Sequence, residues 1–151
     1  MSQVSLDPVH ALEISTATLP LLVPSACVAE VIGVQSLTRV PHSPRWVVGM
    51  LGWRGKPVPV VSMDALLRNS VQPAGDRSRL VVFYPLPGRK AWEFFAILAA
   101  SEPQSRTIDS SILATSVDLP DNRYIATAVK IGKTVAAIPD FDALKAVFYP
   151  G

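Results

Sequence analysis

Prolines punctuate this chain too often for long helices to survive. There are 14 prolines in 151 residues, nearly twice the usual share of roughly 5%. Pro20, Pro24, Pro41, Pro44, Pro57, Pro59, Pro85, Pro87, Pro103, Pro120, Pro139 and Pro150 are scattered along the length rather than clustered. Each removes a backbone donor and fixes φ, which breaks a helix interior but suits strand ends and turns. Between them lie short runs rich in Val, Ile and Leu. The expected class is mainly β.

Ala11–Ala17, Leu19–Val23 and Val28–Ile32 read as strands. Val47–Trp53 and Pro57–Val61 flank Arg54-Gly55-Lys56, a hairpin in which Gly55 supplies a positive φ. Ser62 caps a short helix over Met63–Asn69. Leu80–Tyr84 and Trp92–Ala99 form a second hairpin around Pro87-Gly88-Arg89, and Tyr124–Ile131 with Thr134–Ile138 a third around Gly132-Lys133. Asp140 opens a terminal amphipathic helix with apolar positions at 141, 144, 147 and 148. Pro57 and Pro59 share one strand parity, so their missing donors fall on one side. That predicts an edge strand, unpaired along that side.

The chain also resembles itself. Val48–Leu67 aligns with Ile125–Lys145, setting Gly55-Lys56-Pro57-Val58-Pro59-Val60-Val61 against Gly132-Lys133-Thr134-Val135-Ala136-Ala137-Ile138. Met63-Asp64-Ala65-Leu66 then matches Phe141-Asp142-Ala143-Leu144. A hairpin and short helix occurring twice argue for two related subdomains. The expected organisation is one domain over 9–148, with subdomains 9–69 and 79–148, a polar joint near 70–78 and a flexible lead over 1–8.

Catalytic chemistry is hard to assemble from these residues. Two histidines, His10 and His42, and one cysteine, Cys27, give no recognisable zinc spacing, and His42 in Pro-His-Ser-Pro reads as an exposed turn residue. No Gly-x-Ser-x-Gly elbow is present, and no pair of carboxylates stands out. Gly49 to Lys56 fails the spacing of a phosphate loop and runs into β-type sequence instead of a helix. No enzyme activity and no cofactor are expected. The 14 basic and 12 acidic residues leave a net charge of +2, too balanced for a nucleic-acid footprint. A small β-barrel module for single-stranded nucleic acid or another ligand is the alternative. It would need aromatics and arginines interleaved along one strand face, which the sequence does not show. A lone cysteine fits a reducing compartment. The first residues carry Asp7 and Glu13 without an apolar run. The longest apolar stretch, Phe94–Ala100, falls well short of the roughly 20 residues of a membrane helix. A cytoplasmic protein without membrane insertion is expected.

Two segments together resemble the CheW family of chemosensory coupling proteins. Leu21-Leu22-Val23-Pro24-Ser25-Ala26-Cys27-Val28-Ala29-Glu30-Val31-Ile32 is similar to the family's strand and V-x-E-[IV]-I element. Arg39-Val40-Pro41-His42-Ser43-Pro44, Val48-Gly49 and Trp53-Arg54-Gly55-Lys56-Pro57-Val58-Pro59-Val60-Val61 look like its P-x-x-P and R-G-x-x-x-P-V signature. The resemblance covers about 10–148 and implies two small five-stranded, SH3-like β-barrels. It also implies a non-catalytic adaptor joining a chemoreceptor's cytoplasmic tip to the regulatory domain of a CheA-type histidine kinase, held at receptor arrays through its partners. Ser62 stands where the family has aspartate, and Trp53 where Leu or Asn is usual. Those departures resemble the ChpC-type branch of type IV pilus (twitching) systems.

The resemblance carries candidate roles with it. Arg54, beside Gly55, and its partner Glu30 are implied to lie by the receptor groove between the barrels, and a guanidinium can grip a carboxylate through two bonds. Val28, Val31 and Ile32 would line that groove against the receptor's helical hairpin. Trp53, next to a turn, is a candidate interface anchor, whereas Trp46 and Trp92 read as core aromatics. Val58 and Val60 on the proline-bearing strand, with Val82 and Phe95 on the second hairpin, are the candidate kinase contacts.

Overall fold

A computed structural model describes residues 8–68, 74–85, 90–109, 123–131 and 133–148. The strands are β1 (Val9–Ile14), β2 (Leu21–Pro24), β3 (Val28–Gly33), β4 (Val47–Trp53), β5 (Lys56–Val61), β6 (Arg79–Phe83), β7 (Phe95–Ala99), β8 (Gln104–Ile108), β9 (Ile125–Ile131) and β10 (Thr134–Pro139). A 3-10 turn covers Ser25–Cys27, and among the described residues two short α-helices, α1 (Met63–Arg68) and α2 (Phe141–Phe148), each follow a hairpin. Both begin at the expected caps. Ser62 Oγ accepts from Ala65 N at 3.2 Å and Asp140 Oδ1 from Ala143 N at 3.0 Å, satisfying amides that have no intrahelical partner.

The strands form two five-stranded sheets, a terminal one ordered β8-β1-β2-β10-β9 and a central one ordered β3-β6-β7-β5-β4. In each, an antiparallel hairpin (β4-β5 or β9-β10) joins the next strand in parallel, Val60 opposite Ala96 and Ala137 opposite Leu21. Each sheet position thus has its counterpart in the other, and the duplication is legible in the topology. The expected boundary is not. β5 and β6 lie on either side of 70–78 yet belong to the same sheet, so that stretch does not divide the units; 70–73 lie outside the described residues. The central unit is continuous from β3 to β7, while the terminal unit combines β8-β9-β10-α2 with β1-β2. One unit is a circular permutation of the other, and splitting the chain at its midpoint misses that.

Three apolar clusters hold this arrangement. One lies on one face of the central sheet (Leu51, Trp53, Val58, Val60, Leu80, Val82, Phe94, Ala96), and one on one face of the terminal sheet (Ala11, Leu22, Ile108, Val129, Ala136). The third lies between the sheets and takes residues from both, including Ile14, Leu21, Val61, Met63, Val81, Phe83, Phe95 and Leu144. β6 therefore buries Leu80 and Val82 on one face and Val81 and Phe83 on the other. A strand covered on both faces reads as an unbroken apolar run. The helices cross-link the sheets. Phe141, after the terminal hairpin, packs its ring 5.5 Å from Phe83 and 6.2 Å from Phe95 of the central sheet. Asp64, after the central hairpin, accepts from Thr18 N at 2.8 Å, Thr18 Oγ1 at 2.6 Å and Ala17 N at 3.2 Å in the β1–β2 turn.

Two further expectations need correction, and one strand comes in addition. β5 is not an edge: it lies between β4 and β7. Its prolines are tolerated because pairing with β7 begins only at Val60, past Pro59. β7 starts at Phe95 rather than Trp92, because tight turns (Glu93 N to Lys90 O at 3.0 Å, Phe94 N to Trp92 O at 2.9 Å) occupy the preceding residues. β8 is an additional strand, exposed from Gln104 to Thr107, and so carries no apolar alternation to announce it. Residues 86–89, Gly132 and the side chains at 147 and 148 lie outside the described part.

Candidate functional site

The β4–β5 turn has two central residues, with Trp53 paired to Lys56 across it. Arg54 has φ 48° and Gly55 φ 73°, the pattern of a primed turn, which matches the right-handed twist of the flanking strands. Gly55 adopts this freely, but an L-residue with a Cβ does not, so Arg54 holds a costly conformation. The turn thereby sets the guanidinium beside Trp53 and Glu30 while leaving it largely exposed.

Glu30, on the edge strand β3, comes back to this turn. Its Oε1 accepts from Trp53 Nε1 at 2.8 Å and lies 3.4 Å from Arg54 Nη2. The expected Arg54–Glu30 pair is present, but as a single long contact between half-exposed groups rather than a two-bond grip. The shorter bond is the indole's. Trp53 is only 5% exposed, so its ring supports the surface instead of protruding as an anchor. Arg54 covers that ring with its carbon Cζ 4.5 Å from the centroid, and Phe94 packs on it at 5.0 Å. A β-bulge between Val28 and Glu30 sets the strand's facing. Val28 and Val31 pack against the cluster between the sheets, and Ile32 against the central barrel's interior. The three half-buried side chains thus do not share one face.

The four candidate kinase contacts fall elsewhere. Val58, Val60, Val82 and Phe95 are all fully buried. Val58, Val60 and Val82 fill the central barrel, and Phe95 stacks on Phe83 between the sheets at 4.9 Å. Side chains without exposure cannot touch a partner of the folded protein, so these residues shape the barrel from within. Of the two tryptophans read as core, Trp46 packs on the inter-sheet cluster. Trp92 is 53% exposed.

The sequence reading missed Phe94, Tyr84 and Lys56. Phe94 links Trp53 to Tyr84, whose ring lies 6.2 Å away, and Lys56 Nζ sits 5.1 Å over the Phe94 ring. No local spacing connects these positions, because the β6–β7 connection and the β4–β5 turn meet only through sheet pairing. Among the described residues no group of three His, Cys, Asp or Glu could hold a metal ion, and no helix is long and apolar enough to cross a membrane.

The CheW-like domain family matches residues 11–147. The fold is similar to the crystal structure of the scaffolding protein TtCheW from Thermoanaerobacter tengcongensis, with a TM-score of 0.76, 18% identity, and 94% of this chain and 93% of that chain covered. Among curated proteins, none matches.

Proposed function

This chain belongs to the CheW-like domain family, and from that premise we propose that it is a non-catalytic adaptor coupling a chemoreceptor's cytoplasmic tip to a CheA-type histidine kinase. The observation that carries the reading is the Glu30–Trp53–Arg54 constellation, which brings the two family-matched motifs into contact across 23 residues. An exposed arginine held at positive φ is a conformation that folding alone does not favour. Its use is in what it presents.

Receptor contact then centres on Glu30, Arg54 and Gly55. Trp53 acts as the rigid support, and Val28 and Val31 line the approach between the barrels, while Ile32 packs into the central barrel behind them. The kinase's regulatory domain takes another face. Contacts of this kind are individually weak and gain strength by repetition in an array, which would hold the adaptor at the receptors through its partners. Ser62, in place of the family's aspartate, and Trp53 favour the ChpC-type, pilus-linked branch.

The test is co-sedimentation of the purified protein with its cognate receptor tip and kinase regulatory domain. Binding to both, with receptor binding lost in Arg54→Asn, supports the adaptor. Binding to neither refutes it.

A further inference from the structure

Beyond the arginine itself, the hairpin end of the central barrel carries an unusual surface. Tyr84 is 46% and Trp92 53% exposed, uncommon values for large aromatics on one connection. Tyr84, Phe94 and Trp53 form a continuous ring ladder, with centroid spacings of 6.2 and 5.0 Å. Cations lie on these rings: Arg54 over Trp53 at 4.5 Å, Lys56 over Phe94 at 5.1 Å, and Lys90 over Trp92 at 5.4 Å. Two acidic residues lie close in sequence or space. Glu93 is buried, and Glu30 is already engaged by Trp53 and Arg54. The described part of the patch is therefore cationic and aromatic together.

We infer that this aromatic–cation surface, in which Arg54, Lys56, Tyr84, Lys90 and Trp92 are exposed over the buried ring of Trp53, docks an acidic protein segment that also carries apolar side chains. Exposed aromatics beside exposed cations supply both the apolar contact and the charge complementarity of a recognition patch. A nucleic-acid strand fits less well. Base stacking needs open ring faces, whereas Trp53 and Phe94 are nearly buried and Lys90 lies over one face of Trp92. A cation resting on a ring still directs its N–H donors outward, where a partner's carboxylates would meet them. The inference rests on the adaptor reading in one respect only, that the partner is a protein. It adds the partner's chemistry and the residues of the β6–β7 connection.

The experiment uses the full chain and a soluble helix-forming peptide of Ala-Glu-Glu-Leu repeats. The same peptide with Gln for Glu and an oligothymidylate serve as comparators. Binding is followed by the indole NMR signals of Trp53 and Trp92. The acidic peptide should bind, the Gln peptide should bind at least about tenfold more weakly, and both Lys56→Glu and Tyr84→Ala should lower affinity in a protein that keeps its folded spectrum. Equal binding of the Glu and Gln peptides, or preference for oligothymidylate, overturns the inference. The two readings also fail separately. Receptor and kinase binding without any acidic-peptide binding removes the docking surface and leaves the adaptor, whereas peptide binding without receptor or kinase binding does the reverse.

Discussion

Replacing Arg54 by Asn separates what this residue does for the fold from what it does for a partner. Three quantities enter. The Arg54–Glu30 contact is 3.4 Å long, with side chains 61% and 40% exposed, so solvent screening leaves it worth no more than about 0.5 kcal/mol. Stacking on Trp53 at 4.5 Å adds about 0.5–1 kcal/mol at an exposed site. Against these stands the strain of a Cβ-bearing residue at φ 48°, roughly 1 kcal/mol, much of which Asn relieves because it tolerates the left-handed region. The terms nearly cancel, so Arg54→Asn should change unfolding free energy by less than about 1 kcal/mol. Arg54→Ala loses the same contacts and keeps the strain, and should be the less stable of the two by a few tenths to about 1 kcal/mol. Urea unfolding followed by tryptophan fluorescence measures both, and co-sedimentation with the receptor tip measures coupling. A loss of 2 kcal/mol or more on the order expected for core damage, with coupling intact in the folded fraction, would refute the assignment of Arg54 to partner binding.

Other perturbations probe the framework. Asp64→Ala removes the acceptor of three hydrogen bonds from the β1–β2 turn and should cost about 2–3 kcal/mol in denaturant unfolding. Asp64→Asn, which keeps one oxygen, should recover part of that. Gly49→Ala would set a Cβ 2.9 Å from Leu37 Cβ and 3.0 Å from the Thr38 carbonyl oxygen. Because this segment holds the Thr38–Met50 bridge, a loss of about 1–3 kcal/mol in the same assay is expected. Burial raises the Cys27 thiol above its ordinary pKa, so its thiolate is scarcer when folded and alkylation should be slower than in the urea-unfolded chain at equal pH. The unfolded thiol ionises first, so stability linked to this group is present at neutral pH and falls as pH rises through the unfolded pKa; an unchanged alkylation rate would contradict the burial.

The sequence alone determined whatever is settled within a few residues. Proline spacing dictated short strands, Gly55 a tight turn, and Ser62 and Asp140 the starts of two helices, because turn and cap conformations depend on neighbouring side chains and backbone amides. The repeated hairpin and helix were equally legible, and so was the approach of Arg54 to Glu30 through the motif that carries them. Tertiary structure decided which strands meet. β1 pairs with β8 some ninety positions away, as Ala11 opposite Arg106 shows, and no local preference encodes such a contact. That pairing joins the two ends of the terminal unit around the central one, and the parallel pairing of β5 with β7 places the proline-bearing strand inside a sheet. Packing on both faces of the central sheet buries Val58, Val60, Val82 and Phe95, whose apolar runs look alike whether one face or both are covered. Trp53, Phe94 and Tyr84 became neighbours through strand pairing too: the ring ending β4 meets those at the two ends of the β6–β7 connection only once sheet register has set their strands side by side.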